Sequence, residues 1–543
     1  MIVVDEEVYR RLPSLLIATV DKFAQMPWKG EVQMLFGKVN AYCPRHGFRS
    51  PDVDDTASHP KHKQNELPAV KSEERGPLRP PDLIIQDELH LINGPLGTLV
   101  GLYETAVDGL SSGEYQGKVV RPKIIASSAT IRRATEQIHA LYMRNTSIFP
   151  PPGLDIEDNF FARQIVPTEK DPGRLYFGVC APGVQAKVVM IRVYSAFLSA
   201  AQFLYKKYGA AADPYMTLVG YFNAMRELGG LRRLVDDAIS TRLRQMDKRG
   251  LENRRFHTNS VKELTSRVGA TDIPETLDRL NAVFDPNAEQ DRQTKSKNKE
   301  KIDYSDIPID VLLATNMISV GVDVPRLGLM AVAGQPKYTA EYIQATSRIG
   351  RSKPGLVCTV YSWVRPRDLS HFERFEHYHS TLYQQVEPLS VTPFSARALD
   401  RGLSALLVSY VRLLGEKFNG TKDASSLKIG HEFILRAMDE IGKRAAAITG
   451  DESLEETVRN KLEELTANWI ANAGVVSKGG ATLGYKTKDD GRTVGLLIPP
   501  GKEKDPFTCL TSLRDVESPV MLILNDYELK APVKIVDGED PNE

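Results

Sequence analysis

The feature that most constrains the fold is a series of short apolar runs, each of which ends in polar or charged residues. The runs alternate with amphipathic stretches, which is typical of α/β domains built on parallel sheets. Because open α/β sheets bind ligands at the carboxyl ends of their strands, functional residues are expected directly after each run. We interpret six runs as buried strands, at 14–23, 81–90, 123–130, 216–223, 309–316 and 328–334.

Two insertions interrupt this alternation, and a third change follows Trp363. Residues 43–80 are rich in Pro, Asp, His and Lys, and residues 286–306 are a charged, low-complexity segment. Neither shows an apolar periodicity, so we interpret both as flexible loops. Helical patterns at 400–447 and 452–472 then precede a Gly-rich strand-turn region, which predicts a separate accessory module.

The composition narrows the class of protein. The 543 residues suffice for about three or four domains of ordinary size. The 70 basic and 70 acidic residues balance, so any affinity for nucleic acid must come from local basic grooves. Four scattered cysteines favour a reducing, cytoplasmic compartment over a disulfide framework. No secretion signal and no apolar stretch of membrane-spanning length is apparent, so we expect neither secretion nor a membrane span.

Two adjacent carboxylates, Asp87 and Glu88, follow the apolar run LIIQ, with His90 two residues further on. A carboxylate at a strand end can hold a hydrated Mg²⁺, and a second beside it can orient and deprotonate an attacking water. The pattern indicates phosphoryl-transfer chemistry, although an acidic turn after a strand also matches so short a motif.

Small hydroxyl residues follow the next apolar run, in Ser127-Ser128-Ala129-Thr130. Their position suits coupling of a Mg²⁺ site to a second domain. The alternative interpretation is an N-cap for the helical pattern that begins directly afterwards. The order of the two motifs along the chain favours coupling.

The segment QATSRIGRS places Gln344, Arg348 and Arg351 at i, i+4 and i+7, which predicts one helical face with an amide and two guanidiniums. An arginine supplied across a domain cleft stabilises the charge that develops in phosphoryl transfer, and its fork suits phosphate oxygens. We therefore expect this face to contact a γ-phosphate, with a solvated basic helix surface as the alternative.

The segment ATNMISVGVDVP precedes it and offers several groups for a nucleotide or a phosphate backbone. Thr315 and Ser319 provide hydroxyls, and Gly321 allows close backbone approach. Asp323 can accept a hydrogen bond from a ribose or orient an arginine. The alternative is an ordinary strand-to-helix loop.

The ordered series ATVDKF, DELH, SAT, ATNMISVGVD and QATSRIGR resembles superfamily 2 DExH helicases, over residues 10–365 as motifs Ib to VI. The resemblance implies an α/β fold with two RecA-like parallel-sheet lobes. The first, incomplete lobe covers 1–150 and the second covers 151–365. A mainly helical accessory module with a small β region follows at 366–543.

The same resemblance implies ATP and Mg²⁺ as cofactors and DNA as the partner. Asp87 would hold Mg²⁺ through water, Glu88 would act as general base, and His90 would link the ATP site to the second lobe. It assigns coupling to Ser128, Ala129 and Thr130. It assigns the nucleotide, with two arginine-finger candidates, to Gln344, Arg348, Arg351, Gly321 and Asp323. It assigns sequence-independent contacts with the nucleic-acid backbone to Thr19, Lys22, Thr315 and Ser319.

Three longer runs are similar to the helicase subunit family of the DISARM phage-defence system. They are DELHLINGPLGTLVGLYE at 87–104, VEPLSVTPFSARALDRG at 386–402 and LTSLRDVESPV at 510–520. That family binds DNA and works with a DUF1998-containing partner. The runs correspond to the later part of such a protein, so the resemblance implies an N-terminal region upstream of Met1.

The departure from the helicase pattern is the phosphate-binding loop. A P-loop needs G-x-x-x-x-G-K-[ST], because glycine N–H groups and the lysine together cradle the phosphates. No Gly-Lys pair of this sequence is followed by Ser or Thr. We therefore expect a missing N-terminal half or another polypeptide to supply the P-loop, and the isolated chain to be inactive and poorly behaved. The alternative function is a non-catalytic nucleic-acid-binding or scaffolding subunit with relic helicase motifs.

A further pattern has the residue types of a metal site. Cys43 and His46 are followed by His59 and His62, a Cys-x2-His and His-x2-His spacing that could give tetrahedral Zn²⁺ coordination. Structural zinc sites more often use additional cysteines, and histidines in a polar loop are commonly unliganded. Both interpretations of these residues stay open from the sequence.

Overall fold

The chain divides into two compact units in the computed structural model. Unit 1 comprises Met1–Ser128, Ala134–Thr146 and the described residues of Leu389–Glu543, and the described part of unit 2 lies within Ser147–Pro388. The structure describes residues 1–61, 67–128, 134–151, 154–155, 160–161, 165–170, 172–269, 271–298, 307–319, 323–501 and 505–513.

The helices and strands follow in chain order. The helices are α1 (Asp5–Arg11), α2 (Gly94–Ser111), α3 (Ala134–Tyr142), α4 (Ala186–Tyr208), α5 (Met225–Leu234), α6 (Ser240–Leu243), α7 (Asp272–Asn281), α8 (Pro286–Lys297), α9 (Thr339–Thr346), α10 (Pro366–Glu373), α11 (Phe375–Ser380), α12 (Ala396–Leu413), α13 (Glu432–Thr449) and α14 (Ser453–Lys478). The strands are β1 (Ala41–Cys43), β2 (Gly47–Arg49), β3 (Ser58–His59), β4 (Val70–Lys71), β5 (Glu73–Glu74), β6 (Leu83–Gln86), β7 (Gly113–Tyr115), β8 (Lys118–Val120), β9 (Lys123–Ala126), β10 (Arg174–Cys180), β11 (Leu218–Phe222), β12 (Val261–Leu264), β13 (Val311–Ala314), β14 (Leu329–Ala333), β15 (Gly355–Tyr361), β16 (Thr482–Gly484) and β17 (Thr493–Gly495).

Unit 2 is built on a six-stranded parallel sheet with the order β10-β15-β14-β11-β13-β12. Successive residues of a strand point to opposite faces, and both faces of this sheet are covered. On β13, Leu312 belongs to one buried cluster and Leu313 to the other. Helix α9 contributes Tyr342 to the first cluster, and α4 contributes Tyr194 to the second. The prediction of an α/β fold with a parallel sheet is confirmed.

Unit 1 contains a smaller parallel sheet, in which β6 pairs with β9. The register pairs Leu83 with Lys123 and Ile85 with Ile125, so these four side chains share one face. This face is exposed: Leu83 retains 48% of its accessible surface, Ile85 61% and Ile125 49%. The predicted strands at 81–90 and 123–130 therefore form, but only one of their faces is covered.

The C-terminal helices pack on the N-terminal part of the chain. Helix α12 approaches α2 so closely that a Cβ on Gly402 would come within 2.6 Å of Leu102. Arg444 of α13 makes an ion pair with Asp108 of α2 at 3.2 Å. The structure thus groups residues from 389 onward with unit 1, which differs from the consecutive accessory module expected at 366–543.

Three local predictions from the sequence were wrong. Residues 14–23 are not a strand but an extended segment followed by a 3-10 helix at Val20–Gln25, and Ile17 is 88% exposed. A strand needs a neighbour for its backbone groups, and the described parallel strands of unit 1 pair with each other instead.

The two expected flexible insertions also contain regular structure among their described residues. Part of 43–80 forms the short antiparallel strands β2 to β5, paired with β1 and with one another. In 286–306, Pro286 begins helix α8. A proline at the first helical position and a run of Ala, Glu, Gln and Lys favour a helix even without an apolar face.

Helix α4 and the 3-10 turn after it, Ala186–Tyr215, are long and apolar enough to cross a membrane by length and composition alone. In the structure Val189, Tyr194 and Leu198 of this helix are buried in a core cluster with the six-stranded sheet. Its apolar residues therefore pack as those of a core helix do.

Candidate functional site

The Asp87 motif and the Ser127 motif lie side by side at the carboxyl ends of β6 and β9. The Ser127 amide donates to the Gln86 carbonyl at 2.9 Å, and the Leu89 amide donates to the Ser127 carbonyl at 2.8 Å. The Ser127 hydroxyl donates to Asp87 Oδ1. The two motifs thus meet within unit 1, and the hydroxyl that contacts Asp87 belongs to Ser127 rather than to Ser128.

The backbone at Glu88 adopts a left-handed conformation, with φ of 50°, which is uncommon for a residue other than glycine. Its amide donates to Asp87 Oδ1 at 3.0 Å, so one carboxylate oxygen holds the turn. The Glu88 side chain is 38% exposed, and its Oε2 lies 3.3 Å from His90 Nδ1. Strain of this kind persists only where surrounding contacts determine the backbone, and it clusters at active sites.

His90 joins the carboxylates to the serine motif. Its ring is buried, with 6% of its surface exposed, and its Nδ1 lies 3.2 Å from Ser128 Oγ as well as near Glu88. His90 is therefore in contact with both Glu88 and Ser128. Ala129 and Thr130 of the predicted coupling motif lie outside the described residues.

Two residues that the sequence did not single out hold this loop in place. Gln137 of α3 is buried, and its Nε2 donates to the carbonyls of Leu89 at 3.3 Å and Ile92 at 2.7 Å. Asn93 Nδ2 donates to the His90 carbonyl at 2.5 Å. The only signal for Gln137 was a polar residue on the apolar side of α3, which is a weak pattern in one sequence.

In unit 2, the prediction that Gln344, Arg348 and Arg351 share one helical face was wrong. Helix α9 ends at Thr346, so only Gln344, which is buried, lies on it. The Arg348 amide donates to Ala345 three residues back, and the chain then turns away at Gly350, which has φ of 74°. The Gly350 amide donates to the Leu327 carbonyl at 2.8 Å, which fixes this exit.

The segment 347–352, here called the arginine loop, is anchored by its neighbours. Arg174 of β10 donates from Nε to the Ile349 carbonyl at 2.7 Å, and Ser352 Oγ donates to the Pro325 carbonyl at 2.8 Å. Arg351 Nη1 donates to Asp323 Oδ1. One of the two roles predicted for Asp323, orientation of an arginine, therefore matches the contact that it makes.

Thr315 directly follows β13, is 8% exposed and lies within 3.4 Å of Asn316 Oδ1 through its hydroxyl. Ser319 ends the 3-10 helix Asn316–Ser319, and Gly321 lies outside the described residues. In unit 1, Thr19 is exposed, and the Lys22 ammonium makes an ion pair with Asp5 at 2.6 Å.

Three of the four predicted zinc ligands, Cys43, His46 and His59, converge in unit 1, and Asp55 joins them. His62 lies outside the described residues. Burial alone would raise the pKa of the Asp55 carboxyl, but the hydrogen bond and charge of Arg10, with the two nearby histidines, hold that pKa below its usual value. All four cysteines of the chain are free thiols.

Comparison with known proteins gives one family match. Residues 282–353 match the helicase conserved C-terminal domain, and this range contains both the ATNMISVGVDVP segment and the arginine loop. The chain is also 42% identical to the DISARM protein DrmA of Bacillus paralicheniformis over 473 residues. This alignment covers 87% of the chain but only 40% of that relative's length.

Similar solved structures are helicases. A crystal structure of the DUF1998 helicase MrfA bound to DNA aligns with 66% of this chain and 40% of its own, at 14% identity and a TM-score of 0.38. The helicase Lhr of Mycobacterium smegmatis, bound to single-stranded DNA and AMP-PNP, aligns with 67% of this chain and 36% of its own, at 14% identity and a TM-score of 0.36. The predicted resemblance to superfamily 2 helicases is confirmed: the chain carries a helicase conserved C-terminal domain and, over most of its length, is similar to a DISARM DrmA protein.

Proposed function

We propose that these residues are the part of an ATP-dependent superfamily 2 DNA helicase or translocase that carries motifs Ib to VI, in a phage-defence system of the DISARM type. A P-loop from outside the 543 residues would complete the ATP site. The observation that carries the proposal is the hydrogen-bonded junction of Asp87 with Ser127 and of His90 with Ser128. Within unit 1, this junction joins the carboxylates proposed for phosphoryl transfer to the serine of the segment proposed for coupling.

The carboxylates fit Mg²⁺ with ATP. Both hydrogen bonds that the described residues make to the Asp87 side chain use Oδ1, and the side chain is exposed, so Oδ2 can accept from a magnesium-bound water. Mg²⁺ would neutralise phosphate charge. Glu88 would orient and deprotonate the attacking water. The left-handed backbone at residue 88 gives the Glu88 side chain a direction different from the one it would have if the strand continued past Asp87.

The arginine loop would supply the positive charge for phosphoryl transfer. Arg351 is 35% exposed and its partner Asp323 is 71% exposed. An ion pair in such surroundings contributes only about 0–1 kcal/mol, so a phosphate can compete with Asp323 for the guanidinium. The same reasoning applies to Lys22, whose exposed pair with Asp5 can exchange for a DNA phosphate.

DNA would be held through its backbone by Thr19, Lys22, Thr315 and Ser319, without base readout. The function also implies partners: a polypeptide segment with the P-loop and, by similarity to the DISARM family, a DUF1998-containing protein. The competing function is a DNA-binding scaffold that never turns over ATP.

The deciding experiment compares the 543 residues alone with the same residues joined to a P-loop-bearing segment. We expect the chain alone to show little DNA-stimulated ATP hydrolysis and the joined protein to hydrolyse ATP. In the joined protein, Glu88→Gln should abolish hydrolysis but spare ATP binding, because it removes the base and keeps the shape. Glu114→Gln, at an exposed glutamate of β7, is the matched control. Normal turnover by Glu88→Gln would exclude this assignment, and a joined protein that binds DNA without hydrolysis would indicate the scaffold.

The arginine loop is tested separately. Arg351→Ala in the joined protein should lower kcat by on the order of 10³ or more, with nucleotide-free DNA affinity nearly unchanged. Arg233→Ala, at an exposed arginine of α5, should change neither. Replacement of Thr19 or Thr315 should weaken DNA binding equally across sequences and leave DNA-free ATP affinity intact. If Arg351→Ala lost DNA binding but kept full turnover, the arginine loop would contact DNA instead of ATP.

A further inference from the structure

Four metal-ligating side chains meet at one point of unit 1, apart from the proposed ATP site. Their ligand atoms, one each from Cys43, His46, Asp55 and His59, all lie within 4.8 Å of one another. Cys43 ends β1 and His46 lies in the turn between β1 and β2, whereas Asp55 lies in the loop before β3 and His59 lies on β3. Two separate chain segments therefore supply two side chains each.

The turn has the shape of a metal-binding knuckle. Cys43 pairs with Gly47 across the antiparallel hairpin, and Gly47 has φ of 97°, a conformation that favours glycine. Arg45, inside the turn, donates to the carbonyls of Pro60 at 3.0 Å and Pro68 at 2.6 Å. This contact holds the knuckle against the β3 region, so the ligands are brought together by the protein itself.

The distances between ligand atoms fit a tetrahedral metal. Cys43 Sγ lies 3.8 Å from His46 Nδ1, which lies 3.3 Å from Asp55 Oδ2, and His59 Nε2 lies 3.4 Å from Asp55 Oδ1. Zinc bonds of about 2.0–2.3 Å in tetrahedral geometry separate their ligand atoms by about 3.3–3.8 Å. These three separations already have that length.

The hydrogen bonding of His59 indicates which of its nitrogens is available. The Thr56 hydroxyl donates to the Ser58 carbonyl at 3.0 Å, so it acts as an acceptor for His59 Nδ1, 3.4 Å away. His59 Nε2 has no hydrogen-bond partner among the described residues and lies 3.4 Å from Asp55 Oδ1. A metal cation between His59 Nε2 and the Asp55 carboxylate would satisfy both groups, and metal-bound histidines commonly make a hydrogen bond with their other ring nitrogen.

The hydrogen bonds that Asp55 accepts from two arginines also suit its role as a metal ligand. Arg10 of α1 donates to Asp55 Oδ2 at 2.5 Å, and Arg49 donates to the Asp55 backbone carbonyl. Carboxylates that bind a metal are commonly hydrogen-bonded in turn, and these two donors orient Asp55 toward the histidines. A Cβ on Gly47 would come within 2.1 Å of the Arg10 carbonyl, so α1 packs directly on the knuckle.

We propose that Cys43, His46, Asp55 and His59 bind a structural Zn²⁺ that fastens the β1–β2 knuckle to the β3 loop and to helix α1. The zinc ligand that completes Cys43, His46 and His59 is then Asp55, and His62 is not required. A thiolate, two neutral imidazoles and a carboxylate carry together the charge that neutralises Zn²⁺.

The test is the zinc content of the 543-residue chain, purified without an affinity tag that binds metal and dialysed against metal-free buffer. We expect about one zinc per chain by elemental mass spectrometry. Cys43→Ser and His59→Gln should lose it, whereas His62→Ala and the thiol control Cys180→Ser should keep it. Replacement of zinc by Co²⁺ should give the visible absorption of tetrahedral, thiolate-ligated cobalt, and Cys43→Ser should lose the thiolate band.

Several outcomes would overturn the proposal. A wild-type chain that contains no zinc and takes up neither Zn²⁺ nor Co²⁺ on titration would exclude the site. Zinc retained by Cys43→Ser would exclude Cys43 as a ligand. Zinc lost from His62→Ala but kept by Asp55→Ala would show that the fourth ligand is His62 and not Asp55. If Cys43→Ser fails to fold, titration of Cys180→Ser with Co²⁺ decides instead, because Cys43 is then the only described thiol in a cluster of metal-ligating side chains, and the other two cysteines are buried.

Discussion

The two parallel sheets of this chain are made from similar apolar runs but are buried to very different extents. In unit 2, strands β11 and β13 are buried along their whole length, with separate clusters on the two faces. In unit 1, every second residue of β6 and β9 is exposed. Burial of one Leu or Ile side chain contributes about 1.5–3 kcal/mol, so the two sheets differ greatly in what their side chains contribute.

The difference shows that neighbours, rather than the apolar run itself, decide the burial of a strand. The loops at the carboxyl ends differ correspondingly in their support. The arginine loop follows a helix that packs on a sheet whose central strands are buried on both faces, and Gly350 and Arg174 fix the loop. The Asp87 loop follows a half-covered sheet and depends on single polar contacts from Ser127 and Gln137.

The largest effect is expected from truncation of matched leucines in the two sheets. Leu312→Ala in β13 removes a side chain with no exposed surface and should lower the free energy of unfolding of unit 2 by about 2–5 kcal/mol. Leu83→Ala in β6, at a half-exposed side chain, should cost less than about 1 kcal/mol. Hydrogen exchange followed separately in each unit measures both. Equal losses would contradict the difference between the sheets.

A smaller effect is expected at the exit from helix α9. Gly350→Ala forces a side chain into a left-handed backbone and within 2.8 Å of Gly355, which should cost about 2–4 kcal/mol. Gly230→Ala in helix α5, where a Cβ meets nothing within 4 Å, should instead stabilise by about 0.5–1 kcal/mol. Chemical denaturation of unit 2 compares the two. A neutral Gly350→Ala would show that the arginine loop is not fixed there.

Next in size is the loss of the buried amide behind the Asp87 loop. Gln137→Ala removes the side-chain donor of the Ile92 carbonyl and leaves the Leu89 carbonyl with only the Ile92 amide, which should cost about 1–3 kcal/mol. The control Thr135→Ala changes an exposed residue of the same helix. We expect faster hydrogen exchange at residues 88–92 in Gln137→Ala only. Unchanged exchange would mean that Gln137 does not hold the loop.

The smallest change in stability is expected on the exposed face of β6. Ile85→Lys should alter the free energy of unfolding by no more than about 0.5 kcal/mol and reduce self-association of the purified chain, because it interrupts an exposed apolar face. Ile84→Lys, on the more covered face of the same strand, should destabilise clearly. Sedimentation and thermal denaturation of the two variants distinguish the faces. If Ile85→Lys left self-association unchanged, the chain would associate through a surface other than the exposed face of β6.

The sequence predicted the parts of the fold that local pattern controls. The strands around residues 218, 312 and 330 were predicted because continuous apolar runs are typical of buried parallel strands. The segment at 14–23 has the same pattern but no pairing partner among the described residues, and pairing is a property of the tertiary structure. The spacing of Gln344, Arg348 and Arg351 predicted a helical face, but it could not reveal that the Gly350 amide bonds to Leu327 and ends the helix early.

The candidate site shows the same limit. Asp87, Glu88 and His90 were found because the three residues are adjacent in sequence. Gln137 was missed because the carbonyl that it contacts, that of Ile92, is distant along the chain. Asp55 was missed because its distance from His59 along the chain does not match the spacing of a zinc motif. Asp55 in particular lies outside the Cys-x2-His and His-x2-His spacing, and only the fold brings it to Cys43.

The discontinuous construction of unit 1 has a consequence for synthesis on the ribosome. Helix α2 ends at Ser111, but its packing partner α12 begins only at Ala396, after all of unit 2 has been made. Because synthesis adds about 5–20 residues per second, α12 is made on the order of tens of seconds after α2. The described residues of unit 2 all lie between Ser147 and Pro388, so this unit can complete its sheet meanwhile. We expect a chain truncated after Pro388 to contain a protease-resistant unit 2 and a cleavable α2. Protection of α2 in that truncated chain would show that the N-terminal segments fold without the C-terminal helices.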